Sequence, residues 1–275
     1  MTQKKEKERF KISSVFKWIW RVIYSPVKLI YIIYSPIYDY FNKNEKIKTK
    51  PSEAPKRHKV ADVPKKVSQI RVVDSLRGQY RSFWNKLSNA DSLIGIIIGA
   101  RGSGKSAIAM SFAENLKNNK KKFFAMGFSS RELPRWIKSV DDISALENDS
   151  YVIIDEGGIL FSSRDSMSTG NKLLSELLFI ARHKNLTIFF ISQNSSNLEI
   201  NTLRQADFLV LKRSSLLQRD FERKIISKIY EEHEDGFEKY KDVKGLALIY
   251  SDSFLGFIEN ELPSFWSDSL SKSFK

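Results

Sequence analysis

Leu93-Ile94-Gly95-Ile96-Ile97-Ile98-Gly99-Ala100-Arg101-Gly102-Ser103-Gly104-Lys105-Ser106-Ala107 is the stretch that decides the fold of this 275-residue chain. An apolar run, Leu93–Ile98, passes directly into Gly99–Ser106, which meets G-x-x-x-x-G-K-[ST] at every fixed position. A stretch with an apolar face, Ser106–Leu116, leaves it. In the order strand, glycine loop, helix, the glycines let the backbone curl until its N–H groups point inward at phosphate oxygens, and the helix start adds its positive end. Gly99 to Ala107 are therefore the expected nucleotide cradle. Within it, the Lys105 ammonium is placed to reach the β- and γ-phosphates, and the Ser106 hydroxyl to ligate Mg²⁺.

Two further strand ends complete the expectation. Tyr151-Val152-Ile153-Ile154 runs into Asp155-Glu156, followed by Gly157-Gly158, where the backbone can turn away. Asp155 is the expected magnesium carboxylate and Glu156 the general base that polarises the attacking water. Leu186-Thr187-Ile188-Phe189-Phe190-Ile191 runs into Ser192-Gln193. Gln193 either senses the γ-phosphate or orients water between the two other loops, or it merely caps a strand. Further apolar runs at Lys122–Met126 and Phe208–Leu211, with a helix-like Leu173–Arg182, give an alternating α/β pattern. Unbroken apolar strands of this kind belong to a parallel sheet covered by helices on both faces.

Around this core the chain is uneven. Met1–Ser92 holds 21 Lys and Arg against 8 Asp and Glu, an excess of 13, whereas Leu93–Lys275 holds 25 against 24. Residues 1–41 form a basic, aromatic-rich arm in which Ile-Tyr-Ser-Pro occurs twice, at Ile23–Pro26 and Ile33–Pro36. Lys28 at mid-bilayer would cost about 3 kcal/mol, against about 0.5 kcal/mol gained per Leu, Ile or Val. With two prolines added, an interfacial anchor on an anionic membrane surface is the expectation rather than a span. Packing on protein and contact with nucleic acid are the alternatives for such an arm. Residues 42–67, Lys-rich with Pro51, Pro55 and Pro64, read as a solvated linker, and 68–275 as the catalytic domain. Within that domain Val72–Leu87 reads as an amphipathic helix at the domain edge. Leu216–Tyr230 reads as one helix with Phe221, Ile225, Ile226 and Ile229 on a single face. Leu246–Tyr250 and Phe254–Ile258 read as a hairpin. The chain has no cysteine, which excludes disulfides and thiolate chemistry, and its three histidines (His58, His183 and His233) are far apart in sequence.

An arginine from a neighbouring subunit often completes an ATPase site by neutralising transition-state charge. The candidates are Arg182, Arg204 and Arg213, with Arg204 preferred.

The order of the pieces resembles the FtsK–HerA superfamily. The likeness rests on the P-loop, the strand ending Asp155-Glu156, Ala181-Arg182-His183-Lys184-Asn185, the strand ending Ser192-Gln193, and Leu203-Arg204-Gln205-Ala206-Asp207. It spans Leu93 to about Lys212, and the tail Gly245–Trp266 is similar to small archaeal virus and plasmid members. The resemblance implies an additional-strand sheet with the Gln193 strand between the P-loop strand and the Asp155 strand. It also implies ATP and Mg²⁺ as cofactors and a hexameric homo-oligomeric ring acting on double-stranded DNA. The arm departs from soluble packaging motors and is similar to pumps tethered at the cell envelope. A cytoplasmic protein at the inner face of a membrane, or one associated with a virion, is thus expected. A zonula occludens toxin-like assembly ATPase and a nucleotide-switched membrane scaffold are the alternatives.

Overall fold

Nine strands build one sheet among the residues that the computed structural model describes, 66–155, 167–198, 200–267 and 269–270. The arm, most of the linker and Glu156 lie outside them. In chain order the strands are β1 (Ile70–Gly78), β2 (Leu93–Ile98), β3 (Lys122–Met126), β4 (Ile137–Ser139), β5 (Ser150–Asp155), β6 (Leu186–Ser192), β7 (Phe208–Leu211), β8 (Ala247–Ser251) and β9 (Phe254–Asn260). The helices are α1 (Tyr80–Asn89), α2 (Lys105–Leu116), α3 (Met167–His183), α4 (Ile200–Gln205), α5 (Leu216–Asp220), α6 (Lys224–Glu232) and α7 (Glu234–Lys239).

Across the sheet the order is β1-β9-β8-β7-β2-β6-β5-β3-β4. The six strands from β7 to β4 run parallel, and β8, β9 and β1 are added antiparallel at one side. β6 lies between β2 and β5, so the additional-strand order implied by the superfamily resemblance is the order observed. The C-terminal pair β8 and β9 forms the expected hairpin.

Side chains alternate between two cores because successive residues of a strand face opposite ways. Ile97, Tyr151, Ile153 and Phe189 join α1 and α2 through Phe83, Leu87, Ile108 and Phe112. Ile96, Ile98, Val152, Ile154, Ile188 and Phe190 join α3, α6 and α7 through Leu177, Ala181, Ile226, Ile229 and Phe237. Phe189 stacks on Phe112 at 5.8 Å and meets Phe208 edge-on at 6.2 Å. Gly95 is what admits the Phe208 ring: a Cβ there would lie 2.0 Å from its Cζ.

Two expectations are corrected. Val72–Leu76 is not helical; it belongs to β1, an edge strand paired with β9, and the helix starts only at Tyr80. Gly78, at φ +72°, makes the turn between them, and its missing Cβ lets Ser253 O approach. Neither can the segment Leu216–Tyr230 continue as one helix. It breaks at Phe221–Arg223, where Glu222 turns inward and Arg223 caps other backbone carbonyls. Ile226 and Ile229 are buried as expected, but Phe221 and Ile225 stay exposed.

Candidate functional site

All three motif strands deliver their polar ends to one edge of the sheet. Ile98 pairs with Ser192, and Asp155 with Ile191, so Gly99, Asp155 and Gln193 emerge side by side at the carboxyl ends of β2, β5 and β6. Open α/β sheets bind ligands at that edge.

The loop between β2 and α2 has the backbone its glycines predict. Gly102 and Gly104 sit at φ +75° and +89°, the left-handed region that side chains disfavour. A Cβ on Gly102 would touch nothing, so its glycine is required by conformation alone. Gly104 is also the N-cap of α2, which has no side-chain cap and no acid in its first turn. That leaves the positive end of a 12-residue helix facing the loop. Lys105 is buried, and its ammonium donates to Gly99 O at 2.8 Å and Ala100 O at 2.9 Å, inside the curl of the loop. The Ser103 hydroxyl is buried with no protein partner, an orphaned donor within the cradle. A ligand with several acceptor oxygens would satisfy it, as a triphosphate has.

Ser106, the second residue of α2, donates its hydroxyl to Asp155 Oδ2 at 3.1 Å, across the width of the inserted strand. Asp155 is buried at 7% exposure. One hydroxyl and one carboxylate converging beside a phosphate loop are the hard oxygen donors Mg²⁺ takes when phosphate and water supply the rest. Among the described residues no group of three or more His, Cys, Asp or Glu forms a cage. The Ser106 hydroxyl and the Asp155 carboxylate fit a nucleotide-borne magnesium ion.

Gln193 follows β6 with its side chain exposed, while its carbonyl accepts from Gln218 Nε2. Motif reading missed what holds it there. Glu222, buried at 7% exposure, accepts from Ser195 N at 2.7 Å, from the Ser195 hydroxyl, and from Gln218 Nε2 at 3.1 Å. The break between α5 and α6 thus clamps the loop that follows Gln193. No motif marks Glu222, because its partner Ser195 lies 27 residues away in the chain.

The three arginines separate into two groups. Arg213 adjoins the phosphate loop of its own chain: its carbonyl accepts from Ala100 N at 3.0 Å, and its guanidinium donates to Phe237 O at 3.0 Å. Arg182 and Arg204 lie at the opposite edge. Arg182 is in the last turn of α3, before β6, and Arg204 is in α4, before β7. Asp207, three residues on, pairs with Ile94 at the start of β2. Six strand residues at ~3.3 Å each put about 20 Å between that edge and the loop. Neither arginine is brought to its own chain's site.

Taken together these are the fold and phosphate loop of a P-loop ATPase of the additional-strand class. No protein-family model and no curated protein matches the chain. Its structure is similar to that of B204, the DNA-packaging ATPase of Sulfolobus turreted icosahedral virus (23% identity, TM-score 0.41, covering 64% of this chain and 98% of that one). It is also similar to the genome-packaging NTPase B204 of Sulfolobus turreted icosahedral virus 2 in complex with ATP-gammaS (22%, 0.40, 64% and 98%). A third similar structure is the pCW3 conjugation coupling protein TcpA with ATPgS (14%, 0.44, 62% and 61%). The motifs of the chain resemble those of the FtsK–HerA superfamily, and its strand order is the one which that resemblance implied. The class rests on the strand order and the loop.

Proposed function

We propose that the chain is an ATP-hydrolysing motor that translocates or packages double-stranded DNA as a ring of identical subunits. In this reading the subunits are tethered through residues 1–41 to an anionic membrane surface. The observation that carries the ATPase reading is the Ser106–Asp155 contact beside a formed phosphate loop, with β6 inserted between their strands. The DNA substrate is supported by the motif resemblance to DNA pumps.

In the mechanism, loop amides and the Ser103 hydroxyl hold the phosphates. Lys105 turns from the loop carbonyls to the β- and γ-phosphate oxygens. Ser106 and Asp155 would hold Mg²⁺, which supplies neutralisation of the charge that develops on the transferred phosphoryl group. Glu156, next in the chain after Asp155, takes a proton from the attacking water as its oxygen bonds to the γ-phosphorus and the bond to the ADP oxygen breaks. Gln193, on the strand between the two loops, reports whether the γ-phosphate is present. Arg204, about 20 Å from its own loop, serves the site of the neighbouring subunit.

The test is the ATP hydrolysis rate of the full chain with and without double-stranded DNA. Stimulation by DNA is expected, and Glu156→Gln should bind ATP but stall. A rate indifferent to DNA would remove the motor reading and favour an assembly ATPase. A rate no faster than that of Glu156→Gln would remove hydrolysis itself.

A further inference from the structure

A second lysine lies under the phosphate loop, and no motif names it. Lys212 is the residue after β7, and Leu211 pairs with Ile98, so Lys212 stands level with Gly99 across the β2–β7 pair. It is 2% exposed. Its N–H donates to Ile98 O at 2.8 Å, and its carbonyl accepts from the Tyr230 hydroxyl at 2.8 Å. The side chain runs beneath the loop glycines: a Cβ on Gly99 would lie 2.6 Å from Lys212 Cβ, and one on Gly104 3.7 Å from its Cε and 3.9 Å from its Nζ. At its tip the ammonium donates to Gly245 O at 2.7 Å and Asn260 Oδ1 at 3.3 Å, which belong to the two open ends of the β8–β9 hairpin.

A buried cation costs free energy unless something offsets it, and these two partners are neutral oxygens. Burial alone pulls its pKa down to about 7. The titratable groups on the surrounding elements are Lys105 on α2, Arg213 beside it, Tyr230 on α6, Lys244 before Gly245, and Glu259 and Glu261 on either side of Asn260. None of them offsets the effect of burial. A methionine there would avoid burying a charge but would leave Gly245 O and Asn260 Oδ1 without this donor; a polyanion above the loop gives the buried charge a use.

We propose that Lys212 is a positioning residue of the nucleotide site: its ammonium pins the floor of the phosphate loop to the C-terminal hairpin and adds positive potential beneath the triphosphate. The proposal rests on the ATP reading above. By linkage, a triphosphate that is favoured by the charged lysine must raise that lysine's pKa in return. Affinity gained from Lys212 is then full below its free pKa and fades as pH rises past it. A rise of one unit on binding corresponds to about tenfold in affinity.

The experiment measures Mg·ATP affinity of the full chain by calorimetry at several pH values from 6 to 9, for wild type, Lys212→Met and Lys105→Ala. ATP titrates its own phosphate equally against every variant, so the wild-type-to-variant ratio isolates Lys212. Lys212→Met is expected to bind about tenfold more weakly at pH 6, with the gap closing toward pH 9, and Lys212→Arg to keep the affinity at pH 9. A ratio that stays at one across the range, with wild type binding ATP, overturns the proposal alone. Failure of wild type to bind ATP at any pH overturns the ATP reading instead. Should Lys212→Met not fold, the ¹³Cε resonances of the wild-type lysines decide. One lysine titrating near neutrality and moving upward with Mg·ATP supports the proposal, and its insensitivity to nucleotide refutes it.

Discussion

The parallel and antiparallel halves of the sheet solve different problems with different sequences. β2, β5 and β6 are buried along their whole length, while β1, at the far antiparallel side, shows most of its residues to solvent. Strands covered by helices on both faces need apolar residues at every position. An edge strand facing water on one side does not, and it keeps Arg71, Asp74 and Arg77. The candidate site residues stand at the ends of the buried strands, where a rigid, fully packed strand can hold a carboxylate and a loop to within hydrogen-bond distance. The antiparallel half supports the site from below, through Lys212 and the hairpin.

If that division is right, the largest stability effect belongs to the centre of the parallel half. Phe189→Ala removes a ring stacked on Phe112 and edge-on to Phe208, and about 4 kcal/mol should be lost in chemical denaturation. A loss below about 1 kcal/mol would mean that the two-faced core is not where stability resides. Lys105→Ala should leave the melting temperature near wild type but weaken ATP binding by at least about 100-fold, the ~2.7 kcal/mol expected when charge-assisted contacts vanish. Equal affinity by calorimetry would show that the loop does not hold phosphate.

Glu222→Gln sharpens the boundary between support and chemistry. It keeps the size of the side chain but removes the charge, and its amide NH₂ leaves either Ser195 or Gln218 without an acceptor. The turnover rate should drop about tenfold, the size of one weakened charge-assisted hydrogen bond, while ATP affinity is retained. An unchanged kcat would uncouple the Gln193 loop from hydrolysis. Smallest of all, Val72→Ser on β1, 43% exposed, should shift stability by no more than about 0.5 kcal/mol. A larger shift would make the edge strand part of the core.

Legibility in the sequence followed the same line. β2, β3 and β7 matched their apolar runs residue for residue, and β5 and β6 differed only at their ends. Both-sided burial writes an unmistakable unbroken pattern. β1 was misread because Val72, Val73 and Leu76 fit a helical face as well as an edge strand, and only pairing with β9 decides between them. β4 contributes three residues, too few for any periodicity to show. Leu216–Tyr230 carried a helical period throughout. Its interruption comes from Glu222 finding Ser195, 27 residues away, which no local pattern records.

Residue type and spacing alone show a glycine loop after an apolar run, an acid at the end of a second run and a glutamine at the end of a third, with positive charge concentrated in Met1–Ser92. Those are local statements, carried by residue type and spacing. The tertiary structure alone brings Ser106 to Asp155, sets Arg204 at the sheet edge opposite its own loop, and lays Lys212 under Gly99 and Gly104. The physical reason is strand order: β7, β2, β6 and β5 become neighbours through sheet pairing between segments far apart in the chain, and such pairing depends on the whole core being satisfied at once.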